Sequence, residues 1–194
     1  MTDGSNQLIV ATKNGNAIRV EETDIRIMSR SAHGVKVIKL RDNDEVISMA
    51  RVREGASVLT VTEDGLGRKS SLDTYRVQRR GGYGLKNYRC NDNYVCGIKV
   101  IDEEDDIIMI SSDGVIIRLR AADIRQMGRY ARGVRLMKLN GDNKVVAFTR
   151  AEHDESAEVQ QVDNSTAEDI SEEEAKKLEA EEAKAEQETI SDED

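Results

Sequence analysis

Leu8-Ile9-Val10-Ala11-Thr12-Lys13-Asn14-Gly15 returns as Val58-Leu59-Thr60-Val61-Thr62-Glu63-Asp64-Gly65 and again as Ile107-Ile108-Met109-Ile110-Ser111-Ser112-Asp113-Gly114. The closing glycines are 50 and 49 positions apart, and each is followed 19 residues later by another glycine, Gly34, Gly84 and Gly133. In each copy a β-branched, almost wholly apolar run precedes the turn, the pattern of a strand covered on both faces. Asn14-Gly15 and Asp113-Gly114 permit positive φ at a tight hairpin turn. Behind them Ala17-Ile18-Arg19-Val20 and Ile116-Ile117-Arg118-Leu119-Arg120 alternate as an outer strand would. A second alternating strand is expected after the second glycine, at Val35–Leu40 and Val134–Leu139, and a last one from Val46, Val95 and Val145. A short helical turn is expected at Asp24–Met28 and Asp123–Met127, where Ile-Arg-x-Met recurs. Four short strands per repeat of this length are the signature of propeller blades.

The fold class is therefore all-β: a propeller-like partial wheel of three four-stranded blades, about residues 7–56, 57–105 and 106–150. One blade cannot bury its faces alone, so neighbours must stack. A closed ring takes typically about 4–8 blades, so either the chain is part of a larger one, the favoured expectation, or another molecule supplies the missing blades; an incomplete wheel exposes a strand edge.

The 194 residues carry a net charge of −9, but the charge is divided. Residues 151–194 hold 18 acidic and 3 basic residues, whereas residues 1–150 hold 20 acidic and 26 basic ones. The acidic segment is poor in large apolar side chains, so it is expected to be disordered or partly helical. Ser171-Glu172-Glu173-Glu174 followed by Lys176-Lys177-Leu178 reads as a capping signal with Glu–Lys pairs one turn apart. Such a tail is either a solubiliser or an internal anion that competes with phosphates for the basic body.

The longest uncharged apolar run, Ile107–Ile110, is far short of the roughly 20 residues that cross a bilayer, and Met1–Asn6 is polar. No membrane association and a cytoplasmic location are expected. Cys90 and Cys96 form no disulfide framework, and with only His33 and His153 no zinc set can be assembled. Asp102–Asp106, five acids in a row, reads as an exposed loop rather than a metal site.

Basic residues cluster after the first turn of each repeat and around its second glycine: Lys13 and Arg19, Arg68 and Lys69, Arg118 and Arg120, then Arg26 and Arg30, Arg79 and Arg80, Arg129 and Arg132. Equivalent positions in successive blades would line one outer rim, and a curved track of cations suits a bent polyphosphate. No element resembles a groove-reading helix, so binding is expected to be sequence-independent and governed by the cost of bending double-stranded DNA. The bland alternative is that such side chains are merely solvated or pair with acids.

Gln78-Arg79-Arg80-Gly81-Gly82-Tyr83-Gly84 resembles the seven-residue box (Gln, basic, Arg, Gly, Gly, basic, Gly) of the C-terminal DNA-wrapping domain of the A subunit of DNA gyrase, a type IIA topoisomerase. Six positions match, and Tyr83 stands where a Lys or Arg is expected. Leu66-Gly67-Arg68-Lys69, Met127-Gly128-Arg129 and Gly133-Val134-Arg135-Leu136 look similar to that family's repeats, and the acidic tail is family-like. In the family the wheel has about six blades and the box lies in the first; here it lies in the middle of three, so the chain resembles the C-terminal half of the domain.

The resemblance implies a β-pinwheel, whose blades exchange strands and whose rim bends DNA towards the catalytic gate. The partners it implies are the remainder of the A subunit together with the B subunit, in a bacterial, nucleoid-associated heterotetramer that supercoils DNA at the expense of ATP. The cleaving tyrosine, the magnesium carboxylates and the ATP site belong to other domains there, so no catalytic residue, cofactor or metal is expected in this chain. Rival readings are the C-terminal domain of the topoisomerase IV A subunit, which generally lacks the box, and a propeller that binds proteins. An enzymatic propeller would need a polar constellation that two histidines do not supply.

Overall fold

The structure is a computed structural model that describes residues 3–91 and 93–191. Twelve strands and one α-helix are present among them: β1 (Gln7–Thr12), β2 (Asn16–Glu21), β3 (Val46–Arg51), β4 (Ser57–Thr62), β5 (Leu66–Ser71), β6 (Leu85–Lys86), β7 (Val95–Ile101), β8 (Asp105–Ser111), β9 (Ile116–Arg120), β10 (Gly133–Arg135), β11 (Val145–Glu152), β12 (Asp163–Glu168) and α1 (Glu172–Ser191). They form three antiparallel sheets ordered β3-β1-β2-β6, β12-β10-β5-β4-β7 and β11-β8-β9. The all-β, blade-like reading is borne out.

Each repeat opens with the hairpin its turn residues predict. Gly15, Gly65 and Gly114 have φ of +82° and donate their N–H to Thr12, Thr62 and Ser111. Among the described residues Asn43 is the one non-glycine at positive φ, so Asn14 and Asp113 keep ordinary backbone and glycine alone closes the turn. The inner strands β1, β4 and β8 are covered on both sides; Ile9, Leu59, Val61, Ile107 and Met109 are fully buried. Each such side chain contributes about 1.5–3 kcal/mol of transfer free energy.

The fourth strand of a blade comes from the next repeat. β6, in the second repeat, pairs with β2 of the first, and β10, in the third, pairs with β5 of the second. This exchange explains one difference from expectation: Val35–Leu40 forms no strand, because its place in the repeat is that of the strand a following blade donates backwards. The helical turns also sit earlier than expected, as single 3-10 turns at Glu22–Asp24, Leu72–Thr74 and Ala121–Asp123. After them the chain must extend to reach the preceding blade, where Val77 bridges Arg19 and Gln126 bridges Lys69.

The two ends of the array are open. Met49 is 63% exposed, whereas its register equivalents Ile98 and Phe148 are 0% and 8% exposed, each facing the blade before it. Val146 is likewise exposed where Ile47 and Cys96 pack into the cores between blades. The outer edge of β9 carries exposed Val115 and Ile116, and no strand pairs with it among the described residues.

The segment after 150 is more structured than its composition suggests. β11 runs on to Glu152, and Gln160 donates its N–H to the Arg118 carbonyl at 2.7 Å. Then β12 adds to β10, with Val162 and Ala167 on the core. The bare edge of β10 supplies what the composition lacks, namely backbone partners for an otherwise polar segment. Helix α1 follows with the predicted Ser171 cap, whose Oγ accepts the Glu174 N–H at 3.2 Å.

Asp102–Asp106 is not the wholly exposed loop expected. Asp105 and Asp106 begin β8 and are buried. Arg53 pairs with Asp102 and Asp105, and Arg118 and His153 both hold Asp106. Burial pushes the Asp106 carboxyl up, but those two partners outweigh it and leave it below the ordinary carboxylate value.

Candidate functional site

Numbering the repeats from their second glycines separates the basic residues into two kinds. The first kind follows the hairpin by four positions: Arg19, Lys69 and Arg118. Arg19 Nη1 donates to the Leu72 and Tyr75 carbonyls at 2.9 and 3.1 Å, in the 3-10 turn of the next blade. Lys69 Nζ donates to the Ala121 carbonyl at 2.9 Å, the equivalent atom one blade on, and pairs with Glu103 at 2.8 Å. Arg118 has no next blade to grip and turns to Asp106 and the Glu152 carbonyl. Arg19 and Lys69 rivet blade to blade.

Part of the expected basic rim is therefore corrected. Lys69 is only 3% exposed and Arg68 is 0% exposed. The Arg68 guanidinium donates to Ser70 Oγ and the Ala131 carbonyl at 2.8 Å and to the Asn87 and Arg129 carbonyls, with the Tyr88 ring 5.5 Å from its centre. Four carbonyl and hydroxyl acceptors satisfy a charge whose burial lowers its pKa from the usual arginine value. Arg129 is also buried, at 7% exposure. None of the three presents its charge to a surface ligand here, because each fills a junction between blades. Lys13 is half-buried and engaged with Glu45 at 2.7 Å.

The second kind stays at the surface. Arg26, Arg30, Arg79, Arg80, Arg120 and Arg132 are exposed. So are Arg76 and Arg125, which sequence reasoning missed. They stand at the same place as Arg26, eight residues before the second glycine of each repeat. The signal was present as the Ile-Arg of the first and third repeats and the Tyr-Arg of the second.

Gln78–Gly84 forms the crossing between the first two blades. Its start is fixed by the Gln78 N–H on the Arg19 carbonyl at 2.8 Å, and its end by Gly84. At φ +73° a Cβ on Gly84 would lie 2.4 Å from the Ala17 carbonyl oxygen, so only glycine fits. Between these points the loop pairs with Val37–Lys39: Gly81 donates to the Val37 carbonyl at 2.6 Å, and Lys39 donates to that of Gly82 at 2.8 Å. Arg80 donates to the carbonyls of Asp24 and Lys36 at 2.9 and 3.2 Å. Lys39 and Arg41 both lie over the Tyr83 ring, 4.9 and 4.7 Å from its centre.

This loop forms one wall of a groove of about 930 Å³, lined by Arg41, Arg76, Arg79, Arg80 and Lys86 and faced by Leu178, Glu181 and Glu182 of α1. Glu182 binds Arg129 at 2.7 Å and the Tyr130 hydroxyl at 2.8 Å, and it accepts the Lys86 N–H. Burial pushes the Glu182 carboxyl up, yet the Arg129 bonds prevail and hold it below the ordinary glutamate value. Among the described residues no cluster of His, Cys, Asp and Glu is placed to hold a metal ion, and no helix is long and apolar enough to cross a membrane.

The family profile described as "DNA gyrase C-terminal domain, beta-propeller" matches residues 6–53, 56–94 and 105–152, one match per blade. The A subunit of DNA gyrase from Staphylococcus aureus (strain NCTC 8325 / PS 47) is 37% identical over 172 residues, covering 86% of this chain and 19% of that protein. The chain thus spans about a fifth of the length of such relatives. Among solved structures, the C-terminal domain of DNA topoisomerase IV superposes with a TM-score of 0.74 at 25% identity, over 78% of this chain and 48% of that one. The E. coli ParC C-terminal domain superposes with a TM-score of 0.59 at 14% identity, over 78% and 64%, a likeness of fold alone. The higher identity to the gyrase relative and the three profile matches favour gyrase over topoisomerase IV, and on these grounds the chain belongs to the DNA gyrase C-terminal domain family.

Proposed function

We propose that residues 7–150 bind double-stranded DNA and bend it around the surface that carries Arg26, Arg76 and Arg125, as the wrapping module of a gyrase A subunit. The observation that carries this reading is the repetition of one exposed arginine at one register position in all three blades. Exposure costs an arginine nothing, but repeating it where the neighbouring basic positions turn inward leaves a track with the period of the blades. Arg79, beside Arg76 on the groove, extends that track. Binding to phosphates releases condensed counterions and is largely independent of sequence. Within the holoenzyme the module would present DNA to a catalytic gate supplied by the rest of its own subunit. ATP would be used by the B subunit, with magnesium at the gate rather than here. The setting would be the bacterial nucleoid, and the chain alone would be no enzyme.

The acidic tail would regulate this surface. Through Glu182 and Glu181, α1 covers the groove beside Gln78–Gly84 with carboxylates, where a phosphate would otherwise sit. The test is a salt series with a duplex fragment. Affinity should fall steeply as salt rises, and the triple variant Arg26→Ala, Arg76→Ala, Arg125→Ala should flatten the slope by about 1 per residue. Wild-type affinity that stays level across the series would overturn the proposal.

A further inference from the structure

Tyr83 occupies the box position at which the family pattern calls for a cation, yet the charge is not absent from that place in space. Two cations lie over its ring, Lys39 at 4.9 Å and Arg41 at 4.7 Å, and both come from the loop of the preceding blade. Neither forms an ion pair with a carboxylate among the described residues. Their position is built rather than incidental. The pairing of Gly81 with Val37 and of Lys39 with Gly82 registers the two loops, and Arg80 clamps the same loop through the Asp24 and Lys36 carbonyls. An aromatic face attracts a cation by its quadrupole, which offsets part of the repulsion between two like charges held close together. Arg80 itself spends donors on this clamp. Arg41 also lies near enough to Lys86 for its charge, after burial, to lower the Lys86 pKa. The arrangement is a pair of cations over one ring, and Arg41 and Tyr83 line the same groove as Arg76, Arg79 and the α1 carboxylates Glu181 and Glu182.

We infer that Lys39 and Arg41 supply the phosphate-binding charge missing at Tyr83, and that Tyr83 is the positioning residue that holds them there. The ligand is the phosphodiester backbone of duplex DNA, so the inference rests on the function proposed above. It makes the box a composite of two blades: Gln78–Gly84 supplies the turn, and the preceding loop supplies the charge.

The experiment is fluorescence anisotropy of the whole chain with a labelled duplex over a salt series, with thermal melting of each variant. Lys39→Ala with Arg41→Ala should lower affinity about tenfold or more near physiological salt and reduce the salt slope by about 1 to 2, with melting unchanged. Tyr83→Phe keeps the ring and should bind as wild type. Tyr83→Leu should weaken binding and recover when salt is lowered, since the cations remain but are no longer aligned. Wild-type affinity and slope in the Lys39→Ala, Arg41→Ala variant would overturn the inference. The function proposed above would still stand if the Arg26, Arg76, Arg125 variant had lost slope in the same assay. A wild-type chain with no salt-dependent binding would overturn both.

Discussion

The two crossings between blades, Gln78–Gly84 and Met127–Gly133, are anchored alike at both ends and treat their charges in opposite ways. In both, the first residue donates its N–H to the cation-bearing residue of the previous blade, Gln78 to Arg19 and Met127 to Lys69, each at 2.8 Å. Both end on a glycine pressed against a carbonyl of that blade, Ala17 or Gly67. Yet Arg80 is exposed, whereas its equivalent Arg129 is buried against Tyr130 and Glu182. One place before the closing glycine, Tyr83 stands opposite exposed Arg132. The backbone of the crossing is thus a demand of strand exchange, since the donated strand can start only where glycine lets it touch its acceptor. The fate of the cation is decided by what it bonds: the Asp24 and Lys36 carbonyls for Arg80, the Glu182 carboxylate of α1 for Arg129.

The largest effect should come from breaking what the crossings share. A Cβ on Gly133, at φ +100°, would lie 2.2 Å from the Gly67 carbonyl oxygen, whereas one on Gly81, at φ +93°, meets nothing within 4 Å. Both Gly→Ala changes carry the backbone strain of positive φ, about 1–2 kcal/mol, and only Gly133→Ala adds the clash. Denaturant unfolding should show Gly133→Ala losing about 3 kcal/mol or more and Gly81→Ala about 1. Equal losses would mean that close contact does not set the crossing.

A smaller effect should separate cations that rivet from cations that face solvent. Lys69→Met removes charge-assisted bonds to the Ala121 carbonyl and Glu103, and hydrogen bonds to charged groups are worth about 1.5–3 kcal/mol. It should lower the melting temperature and leave the salt slope of DNA binding intact. Arg26→Ala should do the reverse. If Lys69→Met flattened the salt slope while leaving the melting temperature alone, the division between riveting and surface cations would be wrong.

That division marks the limit of what could be read from residues alone. Blade count, hairpin positions and the crossing glycines were legible, because turn chemistry and alternating apolar runs are local properties. Exchange of β6 and β10 was legible only through the resemblance to a β-pinwheel, since a strand following a glycine carries no mark of which sheet it joins. Arg68, Lys69 and Arg129 look like surface cations in sequence; their acceptors include main-chain carbonyls far along the chain, which every residue possesses and no motif announces. For the same reason β12 was missed, its composition saying nothing of the free edge of β10. The charge around Tyr83 escaped notice because Lys39 and Arg41 lie more than 40 positions upstream.

The smallest effect concerns the tail, and the fold dictates where to cut it. Removal from Ala151 would strip β12 and the Gln160 contact from the body, so a change in binding could not be told from damage to the blades. Removal from Ser171 takes α1 alone. That truncation should tighten duplex binding roughly tenfold, about 1.4 kcal/mol, at low salt, and the gain should fade as salt screens the groove. The pH dependence has a definite sign. Glu182 is held below the ordinary glutamate value, so its clamp contributes fully above about pH 4.3 and is lost only as pH falls through the lower folded value. Arg129 stays charged throughout, and the Tyr130 hydroxyl, pushed up by burial, stays neutral. The ratio of affinities between truncated and whole chains should therefore hold constant from about pH 8 to about pH 5. A ratio that collapses already near neutrality would assign the clamp to a group other than Glu182.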